Sequence, residues 1–143
     1  MKRLMILMLV VGLVAAACGD DEGDAAASDG IKVVSSDLGS FLTDAGGNTL
    51  YLFLPDGQGE SQCYDGCEQA WPPLTATTSA GAGTDGDLLD TAERTDGTTQ
   101  VTYNGWPLYY FANDAAPGDT NGQGVNDVWF VVDAAGDAIG MSG

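Results

Sequence analysis

The sequence contains two copies of one aromatic segment, and this duplication constrains the fold more than any other feature. LYLFLPD at residues 50–56 recurs as LYYFAND at residues 108–114, an offset of 58 positions. Applied without a gap, the same offset pairs three further sets of identical residues: Gly47 with Gly105, Gly66 with Gly124, and Trp71 with Trp129. Identity held in register over such a distance indicates an internal duplication. Two copies are too few for a solenoid, so we expect them to pack together as one pseudo-symmetric domain.

Both copies predict a β-hairpin followed by a turn. In copy two, TTQVTY and PLYYFA flank Asn104-Gly105, the pair favoured in a type I′ turn. In copy one, SFLTD and TLYLFL flank a longer glycine-containing loop at residues 45–48. Asp56 and Asp114 follow the strands, at positions where a carboxylate can accept backbone N–H bonds and fix the turn.

The closing segments of the two copies differ. In copy two, Val125–Val132 predicts a strand before a turn at residues 133–137. In copy one, Pro72 and Pro73 exclude a central strand after Trp71, because proline cannot donate to a sheet.

The remaining segments predict loops and short helices. Residues 62–70 favour a short helical turn, and residues 75–97 favour a loop with one helical turn near Leu88–Arg94. We therefore expect a small single domain, mostly β or α+β, built on hairpins with glycine-rich loops. Its predicted limits are residues 31–143, with copy one at about 38–74, a linker at 75–97 and copy two at about 98–132.

The aromatic residues of the repeat favour core packing over a ligand platform. Tyr51 and Phe53 lie two positions apart and therefore share one face of a strand, as do Tyr109 and Phe111. Such alternating aromatics usually face inward, where they bury large apolar areas. Trp71 and Trp129 belong to the same repeated set.

The first eighteen residues predict export and lipid attachment. A basic start is followed by an apolar run too short to span a bilayer comfortably, then by small residues and Cys18. This order resembles the lipobox of bacterial lipoproteins, whose cysteine is acylated, although Ala15 stands where leucine is most common. The alternative is ordinary signal cleavage nearby. We predict a signal peptide at residues 1–17 and an acyl chain such as palmitate on Cys18.

Residues 18–30 predict an acidic tether that holds the domain off the membrane. The protein would then be anchored to the bacterial cell membrane by lipid and face the extracytoplasmic side. It is expected to be a monomer.

The charge balance excludes several classes of partner. The chain has 21 acidic residues, 4 basic residues and no histidine. Such a surface repels nucleic acid phosphates and anionic lipid headgroups, and it favours basic proteins, cations or simply high solubility. Without histidine, the usual general base and the commonest metal ligand are missing. We therefore expect no enzyme activity and no catalytic residue.

Two cysteines remain after the anchor. In an exported protein, Cys63 and Cys67 are expected to form a disulfide. Their spacing differs from that of thioredoxin-type motifs, which favours a structural bridge over a redox-active one.

A cofactor is not expected, and calcium is the one weak candidate. Three hard-oxygen side chains of the loop at residues 114–127 could ligate it: Asp119, Asn121 and Asp127. The glycine and glutamate positions of a twelve-residue calcium loop are not matched, so these residues fit turn formation equally well.

The paired motif Tyr-x-(aromatic)-x-x-Asp resembles that of the bacterial secreted-repeat lipoproteins. Further likenesses are CYDGC ahead of AWPP, VTYNG leading into PLYYF, and PGDT with GQG ahead of VW. The resemblance covers residues 31–135 and implies an exported lipoprotein with two copies of the repeat. It implies no established reaction, so no catalytic residue is carried over.

These observations predict a lipid-anchored envelope protein of non-catalytic binding or structural type. It would present an acidic surface or an aromatic-rimmed groove to an envelope protein. The alternative is a redox or electron-transfer accessory that works through Cys63–Cys67 or a bound metal.

Overall fold

The computed structural model describes residues 30–75 and 78–141. The predicted signal peptide, Cys18 and nearly all of the tether lie outside this part of the chain. Seven strands and one short helix make up the regular structure: β1 (Lys32–Ser36), β2 (Gly39–Thr43), β3 (Tyr51–Phe53), α1 (Gly66–Ala70), β4 (Leu89–Glu93), β5 (Thr99–Tyr103), β6 (Trp106–Pro107) and β7 (Trp129–Val131). The predicted fold class is confirmed: short strands dominate, and the chain forms two tandem repeats in one small domain.

Three single turns of 3₁₀ helix connect these elements, at Leu54–Asp56, Gly86–Leu88 and Val125–Asp127. Among the described helices, none has both the length and the apolar character that a membrane crossing needs.

Each copy opens with an antiparallel hairpin. In copy one, β1 pairs with β2 from Lys32↔Thr43 to Ser36↔Gly39. In copy two, β4 pairs with β5 from Leu89↔Tyr103 to Glu93↔Thr99. The prediction of a helical turn near Leu88–Arg94 is therefore wrong for most of that segment. Pairing with β5 extends the chain from Leu89 onward, and the helical turn ends at Leu88.

The turn predicted between β5 and β6 is present. Asn104 and Gly105 have φ values of 53° and 82°, the two positive values that a type I′ turn requires. The strand that follows is shorter than expected: its ladder with β5 covers Trp106 and Pro107, and one further bond joins the Leu108 N–H to the Val101 carbonyl at 3.0 Å. Beyond them the chain leaves copy two's hairpin and pairs with copy one.

The closing segments are exchanged between the copies. Strand β7 of copy two pairs with β3 of copy one, from Tyr51↔Val131 to Phe53↔Trp129. The N–H of Leu42 also donates to the carbonyl of Val132 at 2.8 Å. Each sheet of copy one is therefore completed by residues of copy two.

The reverse exchange uses residues 70–74 of copy one. Leu74 lies between two segments of copy two: its N–H donates to the carbonyl of Leu108 at 2.9 Å, and its carbonyl accepts from the N–H of Val101 at 2.8 Å. Pro72 and Pro73 have no N–H to donate. As predicted, no strand forms there, and only an isolated bridge joins Pro73 to Tyr109.

The predicted strand at Val125–Val132 is wrong at its beginning. Asn126 and Asp127 adopt left-handed backbone conformations with φ of 54° and 61°, and the N–H of Gly124 donates to the carbonyl of Trp129 at 2.7 Å. The segment is therefore folded into a turn until Trp129. The predicted helical turn in copy one is present as α1.

The core consists of two clusters separated by strand β3. Alternation along the strand sends Tyr51 and Phe53 to one side and Leu52 to the other. The aliphatic cluster is built mainly from buried Ile31, Leu42, Leu50, Leu52, Leu74, Val101, Leu108 and Val132. The aromatic cluster contains buried Phe41, Tyr51, Cys63, Trp71, Tyr109, Trp129 and Val131.

Exchange of the closing segments predicts that neither copy folds alone. A fragment of residues 30–75 lacks the strand that completes its sheet, so we expect it to be unfolded as a monomer. A fragment of residues 84–141 is expected to behave in the same way. Mixed in equal amounts, the two should associate and recover the near-ultraviolet circular dichroism of the intact domain.

A fragment of either copy that is monomeric, folded and cooperative in urea unfolding would contradict this prediction. The intact domain under the same buffer conditions is the control.

Candidate functional site

Two hydrogen bonds between tyrosine and aspartate cross from one copy to the other. The hydroxyl of Tyr51 donates to Asp114 Oδ2 at 2.6 Å, and that of Tyr109 donates to Asp56 Oδ2 at 2.7 Å. The backbones of the two tyrosines also bond to each other, N–H to carbonyl, at 2.9 and 3.0 Å. These reciprocal contacts place the two tyrosines on opposite sides of a pseudo-two-fold axis. We call these two bonds the crossed pairs.

Each aspartate of the crossed pairs also fixes the turn that follows it. Asp56 Oδ1 accepts from the N–H of Gln62 at 2.7 Å, and Asp114 Oδ1 accepts from the N–H of Asn121 at 2.9 Å. One oxygen of each carboxylate thus serves its own copy and the other serves the partner copy. The sequence pattern predicted the first role and gave no sign of the second.

Four aromatic rings form a column across the same axis. They stack in the order Phe53, Trp129, Trp71, Phe111, with ring centroids 4.1, 3.8 and 4.1 Å apart. The two indoles are parallel to within 1°. Tyr51 meets Trp71 edge-on at 5.3 Å, and Tyr109 meets Trp129 in the same way at 5.2 Å. The structure thus brings together all eight residues singled out from the repeat.

The column is interior packing. Tyr51 and Tyr109 are both 0% exposed, and Trp71 and Trp129 are buried. The two phenylalanines at the ends of the column are only partly buried. Edge-on and offset contacts between aromatic rings stabilise a fold beyond their buried area.

Burial controls the titration of the crossed pairs. Removal from water raises the pKa of Asp56 to about 6, although hydrogen bonds from Tyr109 and Gln62 and the charge of Arg94 favour its ionised form. Burial also raises the pKa of Asp114, and it raises the pKa of Tyr51 and Tyr109. The raised pKa of both phenols keeps them protonated at neutral pH, so that they remain hydrogen-bond donors.

A buried arginine supports only one of the crossed pairs. Arg94 is 3% exposed, and its Nη1 donates to Ser61 Oγ at 3.0 Å and to Gln100 Oε1 at 2.8 Å. Ser61 Oγ in turn lies within hydrogen-bond distance of the Tyr109 hydroxyl. The other pair has no such support, because Ser36 occupies the position 58 residues before Arg94.

The guanidinium of Arg94 also holds the disulfide segment. Its Nη2 donates to the carbonyl of Cys63 and to Glu68 Oε1, both at 2.8 Å, and its Cζ lies 4.4 Å from the ring centre of Tyr64. Sequence reasoning missed this network. The only signal was that Arg94 is one of two basic residues beyond the signal peptide.

The predicted disulfide between Cys63 and Cys67 is present, with a Cα–Cα distance of 5.2 Å. It links the segment before helix α1 to its first turn. Cys63 is fully buried against the aromatic cluster, whereas Cys67 is partly exposed. A thiol that attacks this bond can therefore reach only the Cys67 side.

The calcium candidates are engaged in turns. Asp119 Oδ2 accepts from the N–H groups of Ala115 and Ala116 at 2.9 and 3.0 Å, and Asn121 Nδ2 donates to the carbonyl of Asn113 at 3.2 Å. Asp127 lies in the left-handed turn before β7. Within residues 30–75 and 78–141, no three carboxylate or thiol side chains are grouped so that they could hold a metal ion.

One open groove lies on the outside of copy two and is acidic. It encloses about 710 Å³ between strand β4 and the loop at residues 58–60. Four carboxylates line it, and no basic residue does: Glu60, Asp87, Asp90 and Glu93. We call this feature the acidic groove.

Comparison with known proteins agrees with the duplication. A family model described as a secreted repeat of unknown function matches residues 32–75 and again residues 90–133. These limits include the β1–β2 hairpin and all of the β4–β5 hairpin except Leu89. A search of curated proteins found no match, and a search of solved structures found none.

The raised pKa of Asp56 predicts a pH-dependent contribution to stability. Its folded pKa of about 6 lies above the ordinary value of 3.8. The contribution is therefore complete below pH 3.8 and is lost as pH rises through about 6. Ionisation of Asp56 should lower the free energy of unfolding by about 2 kcal/mol between pH 4 and pH 7. We expect the Asp56→Asn variant to lack this decrease.

Urea unfolding at several pH values measures this difference. Asp37→Asn, in the exposed β1–β2 turn, is the control and should leave the pH profile unchanged. Parallel profiles for Asp56→Asn and the unsubstituted protein would contradict the prediction.

Proposed function

This chain belongs to the family of secreted repeats of unknown function; it is therefore an exported protein, and we propose that it acts as a lipid-anchored, non-catalytic binding module. The acyl chain would be attached to Cys18, which lies outside the described residues. A single chain supplies both halves of the pseudo-symmetric domain, which favours a monomer as the working form.

The proposal depends on the positions of the acidic side chains: some are hydrogen-bonded within the fold, and others are on the surface. Asp56 and Asp114 accept four hydrogen bonds: two join the two copies, and two fix the turn within each copy. A carboxylate whose two oxygens both accept hydrogen bonds within the fold is a poor general base for an external substrate. Other carboxylates lie on the outside, where they can meet a partner, and four of them line the acidic groove.

The charge of the domain favours a basic protein as the partner. Lys32 and Arg94 are the only basic residues of the described chain, and Arg94 is buried and paired with Glu68 at 2.8 Å. Opposite charge on a partner would speed its association and fix its orientation. The same surface repels anionic lipid headgroups, so membrane attachment would depend on the acyl chain.

A structural role for the disulfide supports the binding module over the redox alternative. Cys63 is buried beneath the Arg94 network, and its carbonyl accepts from Arg94 Nη2. Reduction would free a segment that this network holds in place. We therefore assign the bond to maintenance of the fold around helix α1.

Chemical crosslinking in native membranes tests the proposed function. We expect the full chain to carry an alkyne-tagged palmitate, to remain in the membrane fraction and to crosslink reproducibly to a basic envelope protein. Cys18→Ala should lose the label and leave the membrane fraction, because the acyl chain is its anchor.

Cys63→Ala/Cys67→Ala is the matched control and should keep the lipid label. A label that persists in Cys18→Ala would contradict the anchor. Absence of any crosslinked neighbour above background would contradict the binding role.

A further inference from the structure

The two opening hairpins have equivalent outer edges, and among residues 30–75 and 78–141 a backbone segment covers one of them. Along β1 lies a segment that we call the strap, residues 79–83, in which a turn begins at residue 82. Ile31 donates its N–H to the carbonyl of Ser79 at 2.9 Å and accepts from the N–H of Gly81 at 2.7 Å. Val33 donates to the carbonyl of Ala82 at 2.9 Å. Copy one thus shows what this edge binds: an extended backbone.

The strap fits because its residues are small. A Cβ atom added to Gly81 would collide with the carbonyl oxygen of Ile31, and one added to Gly83 would lie 3.0 Å from Val33 Cβ. Gly83 also has φ of +83°, a value that favours glycine. Close approach to this edge therefore selects small residues at the positions that face the strand.

The equivalent edge of copy two is β4. Leu89 and Thr91 stand 58 positions after Ile31 and Val33. The β4–β5 ladder is flanked by bonds from Asn104 N–H to the Leu88 carbonyl and from Arg94 N–H to the Thr98 carbonyl. Because such bonds alternate along an antiparallel pair, Leu89, Thr91 and Glu93 direct their backbone groups outward.

Within the described residues, no second segment pairs with this outer edge. The N–H of Leu89 turns to the carbonyl of Gly86, and that of Thr91 donates to its neighbour Asp90 Oδ1 at 2.8 Å. Asp90 and Thr91 are both exposed. A side chain on the surface can leave this bond when a backbone carbonyl takes its place.

The acidic groove lies beside this edge and adds a charge requirement. Asp90 and Glu93 belong to β4 itself, and Glu60 and Asp87 come from flanking loops. Thr102, across the ladder from Asp90, also lines the groove and is only 4% exposed. Its hydroxyl makes no hydrogen bond within the described chain, so it remains available to a polar ligand.

We propose that the outer edge of β4 binds an extended segment of an envelope protein that carries lysine or arginine, by strand addition. The inference rests on the proposed function, because it names the surface and the partner of that binding module. The chain's own tether does not fit, since residues 18–30 contain acidic residues and no basic one.

Strand addition assigns separate tasks to alternate residues of the bound segment. Side chains on one face would reach the acidic groove, where basic groups meet Glu60, Asp87 and Asp90, and Glu93 also lines the groove. Those on the other face would lie over Leu89 and Val101, which line a smaller cleft of about 290 Å³. Backbone bonds would give affinity, and the alternating side chains would give specificity.

A synthetic peptide of five Lys-Ala repeats, blocked at both ends, is the probe, and the Glu-Ala peptide is its counterpart. We expect the Lys-Ala peptide to shift the amide NMR signals of residues 88–94 and to bind more weakly as salt is raised. The triple variant Glu60→Gln/Asp87→Asn/Glu93→Gln should bind about tenfold more weakly, since three rim charges are lost.

Two further variants separate strand addition from general attraction. Asp37→Asn/Asp65→Asn/Asp127→Asn removes the same charge from exposed positions elsewhere and should change binding by less than about twofold. Thr91→Pro removes an outward N–H without breaking the β4–β5 ladder. It should weaken peptide binding at least as much as Glu60→Gln/Asp87→Asn/Glu93→Gln does. Near-ultraviolet circular dichroism checks that each variant is folded.

Equal losses in the two triple variants would overturn the proposal, because the attraction would then be unspecific. Unchanged binding by folded Thr91→Pro would overturn it too; if that variant fails to fold, the paired triple variants still decide. In native membranes, the unsubstituted protein and Glu60→Gln/Asp87→Asn/Glu93→Gln are compared by crosslinking. Equal capture of a partner by both would refute this site but not the binding module. Absence of any partner would instead refute the proposed function.

Discussion

The fold depends on two hydrogen bonds, one buried and one partly buried, in which each copy's tyrosine meets the other copy's aspartate. Tyr51–Asp114 and Tyr109–Asp56 lie where the two chain halves cross, and the same aspartates fix the turns that begin each glycine-rich stretch. A buried carboxylate without a donor is costly, so each copy needs the other's phenol. The indole pair stacks at 3.8 Å across the same axis. Local turns and long-range packing are thus coupled through two side chains.

Around this symmetric centre the two copies have diverged. Copy two supplies the buried Arg94 and Gln100, and copy one supplies the disulfide segment that Arg94 holds. The chain covers the outer edge of copy one with its own strap and leaves the equivalent edge of copy two bordered by carboxylates. Symmetry accounts for how the domain is held together. The differences between the copies mark where a partner would be recognised.

The sequence predicted the parts of the fold that depend on local pattern. The 58-residue offset singled out the residues that form the crossed pairs and the ring column. Asn104-Gly105 predicted a turn because both residues tolerate positive φ. Strand β4 was missed because LDTAE has no alternation of apolar and polar residues, and only pairing with β5 makes it a strand. The exchange of closing segments was equally hidden, since a repeat pattern does not state which copy completes which sheet. The burial of Arg94 could not be predicted from the sequence, because two of its partners, Ser61 and Cys63, lie far away along the chain.

A double-mutant cycle on Tyr51 and Asp114 tests the central claim most directly. The free energies of unfolding of Tyr51→Phe, Asp114→Ala and the double variant are compared with that of the unsubstituted protein. If the crossed pair holds the copies together, the double variant will be more stable than the sum of the single losses predicts, with a coupling of about 1–2 kcal/mol. Additivity to within about 0.5 kcal/mol would show that the two residues act independently and would contradict the account.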